Sequence, residues 1–172
     1  MKFLKLSLLI CLFVSCATVN VNYDYDRQTN FAEYKTYNYY SDIDTGLSAL
    51  DTKRILNIMD EAMGMKGLSL SDNPDFYVNI QSEEYHNDQR SSVGIGVGGS
   101  GQNVGGGVSV GIPVGQSKLS RQLVFDFIDD NKGLFWQAVA EAQYNPNANP
   151  EQREANLKAI VDKVLEGYPP QK

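Results

Sequence analysis

The sequence predicts an α+β fold: one two-layer domain in which an antiparallel or mixed sheet of about seven strands carries two helices on one face, with a Gly-rich β-hairpin added to it. Three observations lead there. Most of the chain alternates apolar and polar residues with period two, which is the signature of half-buried strands. Two segments switch to a helical period. Strands and helices do not follow one another in the sustained βαβ order that a parallel sheet requires.

The N-terminus stands apart from this domain. MKFLKLSLLICLFVSC has Lys2 and Lys5, then an apolar run from Leu6 to Val14, then Ser15 and Cys16. That order reads as a secretory signal peptide over residues 1–15, and the run is well short of the ~20 residues that a membrane-crossing helix needs. Phe13-Val14-Ser15-Cys16 resembles a bacterial lipobox, with Phe13 where an aliphatic residue is usual. The resemblance implies lipid attachment at Cys16, which becomes the first residue of a mature domain over 16–172. Two acyl chains anchor stably where one is marginal. Cys11 leaves with the signal and Cys16 carries lipid, so the mature chain has no thiol for a disulfide, a thiolate metal site or a nucleophile. Loss of Lys2 and Lys5 leaves 13 basic against 21 acidic residues, taking the net charge from −6 to −8. Such a balance excludes nucleic acid and does not favour anionic lipid surfaces as electrostatic partners. The expected membrane attachment is therefore through the N-terminal lipid.

The first strand is ATVNVNYDYD, with Val19, Val21, Tyr23 and Tyr25 on one side and Asn20, Asn22, Asp24 and Asp26 on the other. A second is expected in Phe31–Tyr40, where Tyr37 and Tyr39 oppose Thr36 and Asn38. Between Ser48 and Lys66 the period changes: Leu50, Ile55, Ile58, Met59, Ala62 and Met65 fall on one helical stripe, Ser48 caps it with Asp51 three residues on, and Gly67 ends it. Residues 71–74 read as a turn, and Phe76, Val78 and Ile80 form the apolar side of a third strand. Leu119, Leu123, Phe125 and Phe127, the turn Asp129–Gly133, and LFWQAVAEA form a hairpin, with Trp136 expected in the core. The last helix has Asn149 as its cap, Pro150 at its first position, Gln152 completing a capping box, and the stripe Ala155, Leu157, Ile160, Val161, Val164 and Leu165. Gly167 and Pro169 stop it.

Residues 91–117, SSVGIGVGGSGQNVGGGVSVGIPVGQS, hold ten of the fifteen glycines and a literal G-x-G-x-x-G at Gly94, Gly96 and Gly99. A phosphate loop needs a helix opening directly after the glycines, and none is expected here for about fifty residues. Val93, Ile95 and Val97, then Val108, Val110, Ile112 and Val114, alternate instead with glycine and serine. This predicts a hairpin with one branched face, one bare face and its turn over Gly99–Asn103. Weak packing, close approach by another backbone, or an assembly edge each account for it.

No catalytic, metal or cofactor-binding residue is expected. His86 stands beside Glu83, Glu84 and Asp88, but one histidine with no cysteine is a poor transition-metal set. Asp126, Asp129 and Asp130 do not match a calcium loop and read as turn chemistry. Asp24 and Asp26 lie along a strand rather than across a cleft. Any Ser-His-Asp triad would need His86, and no serine lies in a nucleophile elbow. Six of the ten tyrosines lie between Tyr23 and Tyr40, either packing a sheet face or offering an aromatic surface to a glycan or peptide.

YDYDRQTNFAEYKTYNYY at 23–40, the KG ending at Gly67, PDFYVNIQ at 74–81, LVFDFIDDNKGLFWQAVAEA at 123–142 and AIVDKVLEGYPP at 159–170 together resemble the domain-of-unknown-function 4136 family of bacterial lipoproteins. The resemblance implies a compact α+β domain tethered at the cell envelope and carries no catalytic residue over. The residues after Cys16 lack the acidic character of inner-membrane retention and surface-export signals, which gives an outer-membrane, periplasm-facing expectation. The expected role is non-enzymatic: an envelope lipoprotein binding an envelope protein or glycan through its sheet face, an edge strand or the glycine hairpin. An enzyme acting on envelope material is the alternative. Oligomeric state is left open.

Overall fold

The computed structural model describes residues 19–87, 92–94, 111–113 and 118–171. In chain order the elements are β1 (Asn20–Tyr25), a single 3₁₀ turn at Phe31–Glu33, β2 (Thr36–Tyr39), α1 (Ala49–Met65), β3 (Ser69–Leu70), β4 (Phe76–Asn87), β5 (Ser92–Gly94), β6 (Gly111–Pro113), β7 (Lys118–Asp129), β8 (Gly133–Gln143) and α2 (Pro150–Glu166). Six strands form one sheet in the order β1-β8-β7-β4-β2-β3. The β1/β8, β8/β7 and β7/β4 pairs are antiparallel, while β4/β2 and β2/β3 are parallel, so the sheet is mixed.

Strand periodicity sorts the residues into two faces, and the register aligns them across the sheet. Val78, Phe127, Trp136 and Tyr25 lie in one line, and Ile80, Phe125, Ala138 and Tyr23 in the next. Of these, Val78, Phe127, Trp136, Ile80, Phe125 and Ala138 share a hydrophobic cluster with Ile55, Ile58, Met59, Ala62 and Met63 of α1 and Leu157, Ile160, Val161, Val164 and Leu165 of α2, while Tyr23 and Tyr25 at the β1 edge stay exposed and pack against Trp136 and Phe31. The helices touch each other, so together they cover this one face. Alanines at 138, 140 and 142 keep β8 low where α2 approaches it.

The helix ends follow the expected chemistry. Ser48 Oγ accepts the Asp51 amide, and Asn149 and Gln152 form a full capping box at α2 with Pro150 in its first turn. Gly67, at φ +79°, takes the left-handed conformation after α1.

Four details differ from the sequence reading. The second strand is only four residues long, because the Asn30 side chain caps a 3₁₀ turn at Phe31–Glu33 and consumes the first part of the segment. A short strand at Ser69–Leu70 appears before the 71–74 turn, its amides and those beside it donating to Lys35 and Tyr37 carbonyls. Leu50 and Met65 are 67% and 75% exposed, since the stripe of α1 leaves the core at both helix ends, and Ala155 of α2 is likewise exposed. Gly167 has an ordinary negative φ; its lack of a side chain matters because the Tyr23 ring lies directly where a Cβ would be, with the Tyr23 hydroxyl donating to the Lys163 carbonyl at 2.6 Å.

Of the expected Gly-rich hairpin, β5 and β6 pair antiparallel with Val93 opposite Ile112. Its turn at 99–103 and the remainder of 91–117 lie outside the described residues. The signal peptide and Cys16 do too.

Candidate functional site: the open face of the sheet

Both helices lie on one side, so the side chains of alternate strand positions form a second face that no described element covers. Five rows run across it, the last made by Tyr85, Ser120 and Gln143. At one end Tyr40 stacks on Tyr77, with centroids 4.7 Å apart and planes at 13°, and Tyr77 aligns with Ile128 and Leu134. Leu134, 52% exposed, is the most open apolar side chain of this row. Asn79, Asp126, Gln137 and Asp24 make the next row, where Gln137 Nε2 donates to Asp126 Oδ1 at 2.7 Å. Gln81, Val124, Val139 and Asn22 follow, then Glu83, Gln122, Glu141 and Asn20.

The face is concave where the chain between β2 and α1 rises beside β4. The Ser82 amide donates to the Thr45 carbonyl at 2.8 Å, and Gly46, at φ +66°, comes so close that a Cβ would meet the Ser82 carbonyl oxygen at 2.7 Å. Only glycine meets both conditions. The loop thereby forms a wall over Gln81, Glu83, Gln122 and Val124, enclosing a groove of about 450 Å³. Amides and two carboxylates, Asp44 and Glu83, dominate its lining, with the Val124 side chain in its floor, a surface suited to hydrogen-bonding a polar ligand.

A second cluster of polar groups sits between the helices and the end of the sheet. Arg121 is only 7% exposed; it pairs with Glu84, and its guanidinium carbon lies 3.6 Å over the Tyr144 ring. Its Nε has no protein partner among the described residues, and the adjoining cavity of about 30 Å³ has room for water. Nearby, buried Asp51 accepts from Arg54 at 2.7 Å and from Arg153 at 2.8 Å, while Arg153 also donates to the Ala148 and Pro146 carbonyls. Burial works against the Asp51 charge, but the hydrogen bonds from both arginines hold its carboxyl below the usual carboxylate range. The Asp51, Arg54 and Arg153 pairs thereby form a clamp joining α1, the β8–α2 loop and α2.

The phenols are also engaged structurally. Tyr37 and Tyr39 both donate to Asp60 Oδ1, at 2.8 and 2.7 Å, and Tyr34 donates to Asp129 at 3.0 Å. Burial, reinforced by the bonded carboxylate, pushes all three phenols far above their ordinary range, leaving them as hydrogen-bond donors.

The candidate groups read from the sequence are not brought together. Glu83 and Glu84 fall on opposite faces of β4, His86 is registered opposite Leu119 near its end, and Asp88 lies outside the described residues. Asp126 is on the open face, whereas Asp129 accepts the Asn131 and Lys132 amides as turn chemistry does. Asp24 and Asp26 accept the amides of Tyr25 and Gln28. Among the described residues no three His, Cys, Asp or Glu side chains form a metal-binding group. The Tyr77–Ile128–Leu134 row escaped sequence reading because each residue, taken alone, occupies the nominally polar side of its strand; only the register makes them neighbours.

The sequence model for the domain of unknown function DUF4136 matches residues 21–170. The chain belongs to the DUF4136 family. No curated protein matches it. Among solved structures it is similar to a PDZ domain protein from Parabacteroides distasonis, at 16% identity and a TM-score of 0.57, covering 99% of this chain and 40% of that one. The chain thus spans about two-fifths of that protein. It is also similar to the PelC dodecamer subunit from Paraburkholderia phytofirmans, at 11% identity and a TM-score of 0.51, covering 90% of this chain and 100% of that one. At these identities the likeness is one of fold, and DUF4136 names no activity.

Proposed function

We propose that this DUF4136 domain is a non-catalytic binding module of the cell envelope, held at the outer membrane by acyl chains on Cys16 and facing the periplasm. The observation that carries the binding role is the open sheet face with its walled groove of about 450 Å³ over Gln81, Glu83 and Gln122. A sheet needs one covered face for stability; a second face bearing an apolar row and a polar groove has side chains available for a partner. The envelope setting rests on the signal-like N-terminus and Cys16. An envelope protein or glycan is the partner, recognised by amides and carboxylates in the groove and by the Tyr77–Ile128–Leu134 row beside it.

The test is site-specific photo-crosslinking in cells. A crosslinker at Gln122 gives a discrete adduct, and the same group at Glu61, on the exposed side of α1, does not. Equal capture from both positions, or none from Gln122, overturns the reading.

A further inference from the structure

The chain between Cys16 and the sheet is very short. Asn20 already pairs with Glu141, so four residue steps separate the proposed acylation site from an ordered strand. Fully extended, they reach about 14 Å. The domain has no room to turn end over end on such a tether, because β8 alone runs about 33 Å from Gly133 to Gln143.

The register identifies the end that is held. Asn20 opposes Glu141, Ser120 opposes both Gln143 and Tyr85, and the Tyr144 amide donates to the Leu119 carbonyl at 2.9 Å. Asn20, Tyr85, Ser120, Gln143 and Tyr144 therefore share one pole. The Asp129–Gly133 turn lies at the other.

We propose that the pole carrying Tyr85, Gln143 and Tyr144 rests against the phospholipid headgroups, with the strands rising from the bilayer and the open sheet face turned sideways. This inference rests on acylation at Cys16. Its chemistry fits a headgroup surface: two half-buried tyrosines, whose rings suit a membrane–water boundary, are accompanied by the exposed amides of Gln143, Asn145 and Asn147. The buried arginine at this pole is neutralised by Glu84 and shielded by Tyr144, so the tether rather than charge holds the pole in place. The connection between β4 and β7 also leaves and returns here, Asn87 opposite Lys118.

The mature, acylated protein, carrying a fluorophore at either Gln143→Cys or Asn131→Cys, is placed in phosphatidylethanolamine–phosphatidylglycerol vesicles containing a headgroup nitroxide lipid. Both positions are exposed, so labelling leaves the core intact. Quenching several-fold stronger at 143 than at 131 is expected; equal quenching overturns the orientation. A flexible Gly-Ser spacer of about twenty residues between Cys16 and Asn20, with an r.m.s. reach of ~25 Å, is expected to abolish the difference. Persistence of the difference with the spacer overturns the tether as its cause. Mass spectrometry of the N-terminal peptide separates the two layers of the argument: an unmodified Cys16 removes the anchor itself, whereas acylated Cys16 with equal quenching removes only the orientation.

Discussion

The two faces of strand β7 are built from neighbouring residues and have opposite fates. Leu123, Phe125 and Phe127 are completely buried beneath the helices, while Gln122, Val124, Asp126 and Ile128 remain part-exposed on the open side. The difference teaches where the fold's stability and its recognition capacity reside. On the covered face, apolar area removed from water stabilises at roughly 25 cal/mol per Å², and close packing makes each methylene count. On the open face the strands are already held by the ladder, so side chains there are replaceable without unfolding the domain.

Truncating the covered face is the strongest way to break this contrast. Phe125→Ala is expected to cost about 3–5 kcal/mol in chemical denaturation, from lost transfer energy and the cavity left behind. The clamp that ties the helices comes next. Arg153→Ala removes a partner from buried Asp51 and the donors to two loop carbonyls, and is expected to lower the denaturation midpoint by less than Phe125→Ala does. The same clamp fixes a pH dependence. Because the folded carboxyl of Asp51 is depressed below its unfolded value, its contribution is present above the unfolded value near pH 4 and is lost as pH falls through the folded one. Acid unfolding of Asp51→Asn should accordingly be shallower than that of the wild type below about pH 4.

Gly167→Ala is expected to cost about 1–3 kcal/mol by forcing the Tyr23 ring away from α2. In Tyr23→Ala the ring is gone, so adding Gly167→Ala to that variant should cost much less than in the wild type; full additivity would show that the two residues are not coupled. Smallest of all, Leu134→Ser and Gln122→Ala on the open face should change stability by no more than about 0.5 kcal/mol while weakening in-cell crosslinking from a reporter at Gln81.

Much of the covered face was legible in the sequence because burial leaves a periodic trace. Phe76, Val78 and Ile80, Leu123, Phe125 and Phe127, and the α2 stripe from Leu157 to Leu165 could be assigned from spacing alone, as could the caps at Ser48 and Asn149. The open face was not legible, since its rows exist only after four strands are set in register. Asp51 illustrates the same limit: local spacing makes it a first-turn acid of α1, yet its partner Arg153 is distant in sequence. Gly167 read only as a helix stop and Gly46 carried no signal at all, because the groups they make room for, the Tyr23 ring and the Ser82 carbonyl, come from elsewhere in the chain.

In the proposed binding module, one face makes the fold and the other makes the contact. This division is tested most directly by Val124→Arg, a charge placed in the floor of the open groove, with thermal stability and in-cell crosslinking from a reporter at Gln81 measured on the same variant. A melting temperature within a few degrees of wild type and loss of the adduct are expected. An unchanged adduct at unchanged stability would contradict the division.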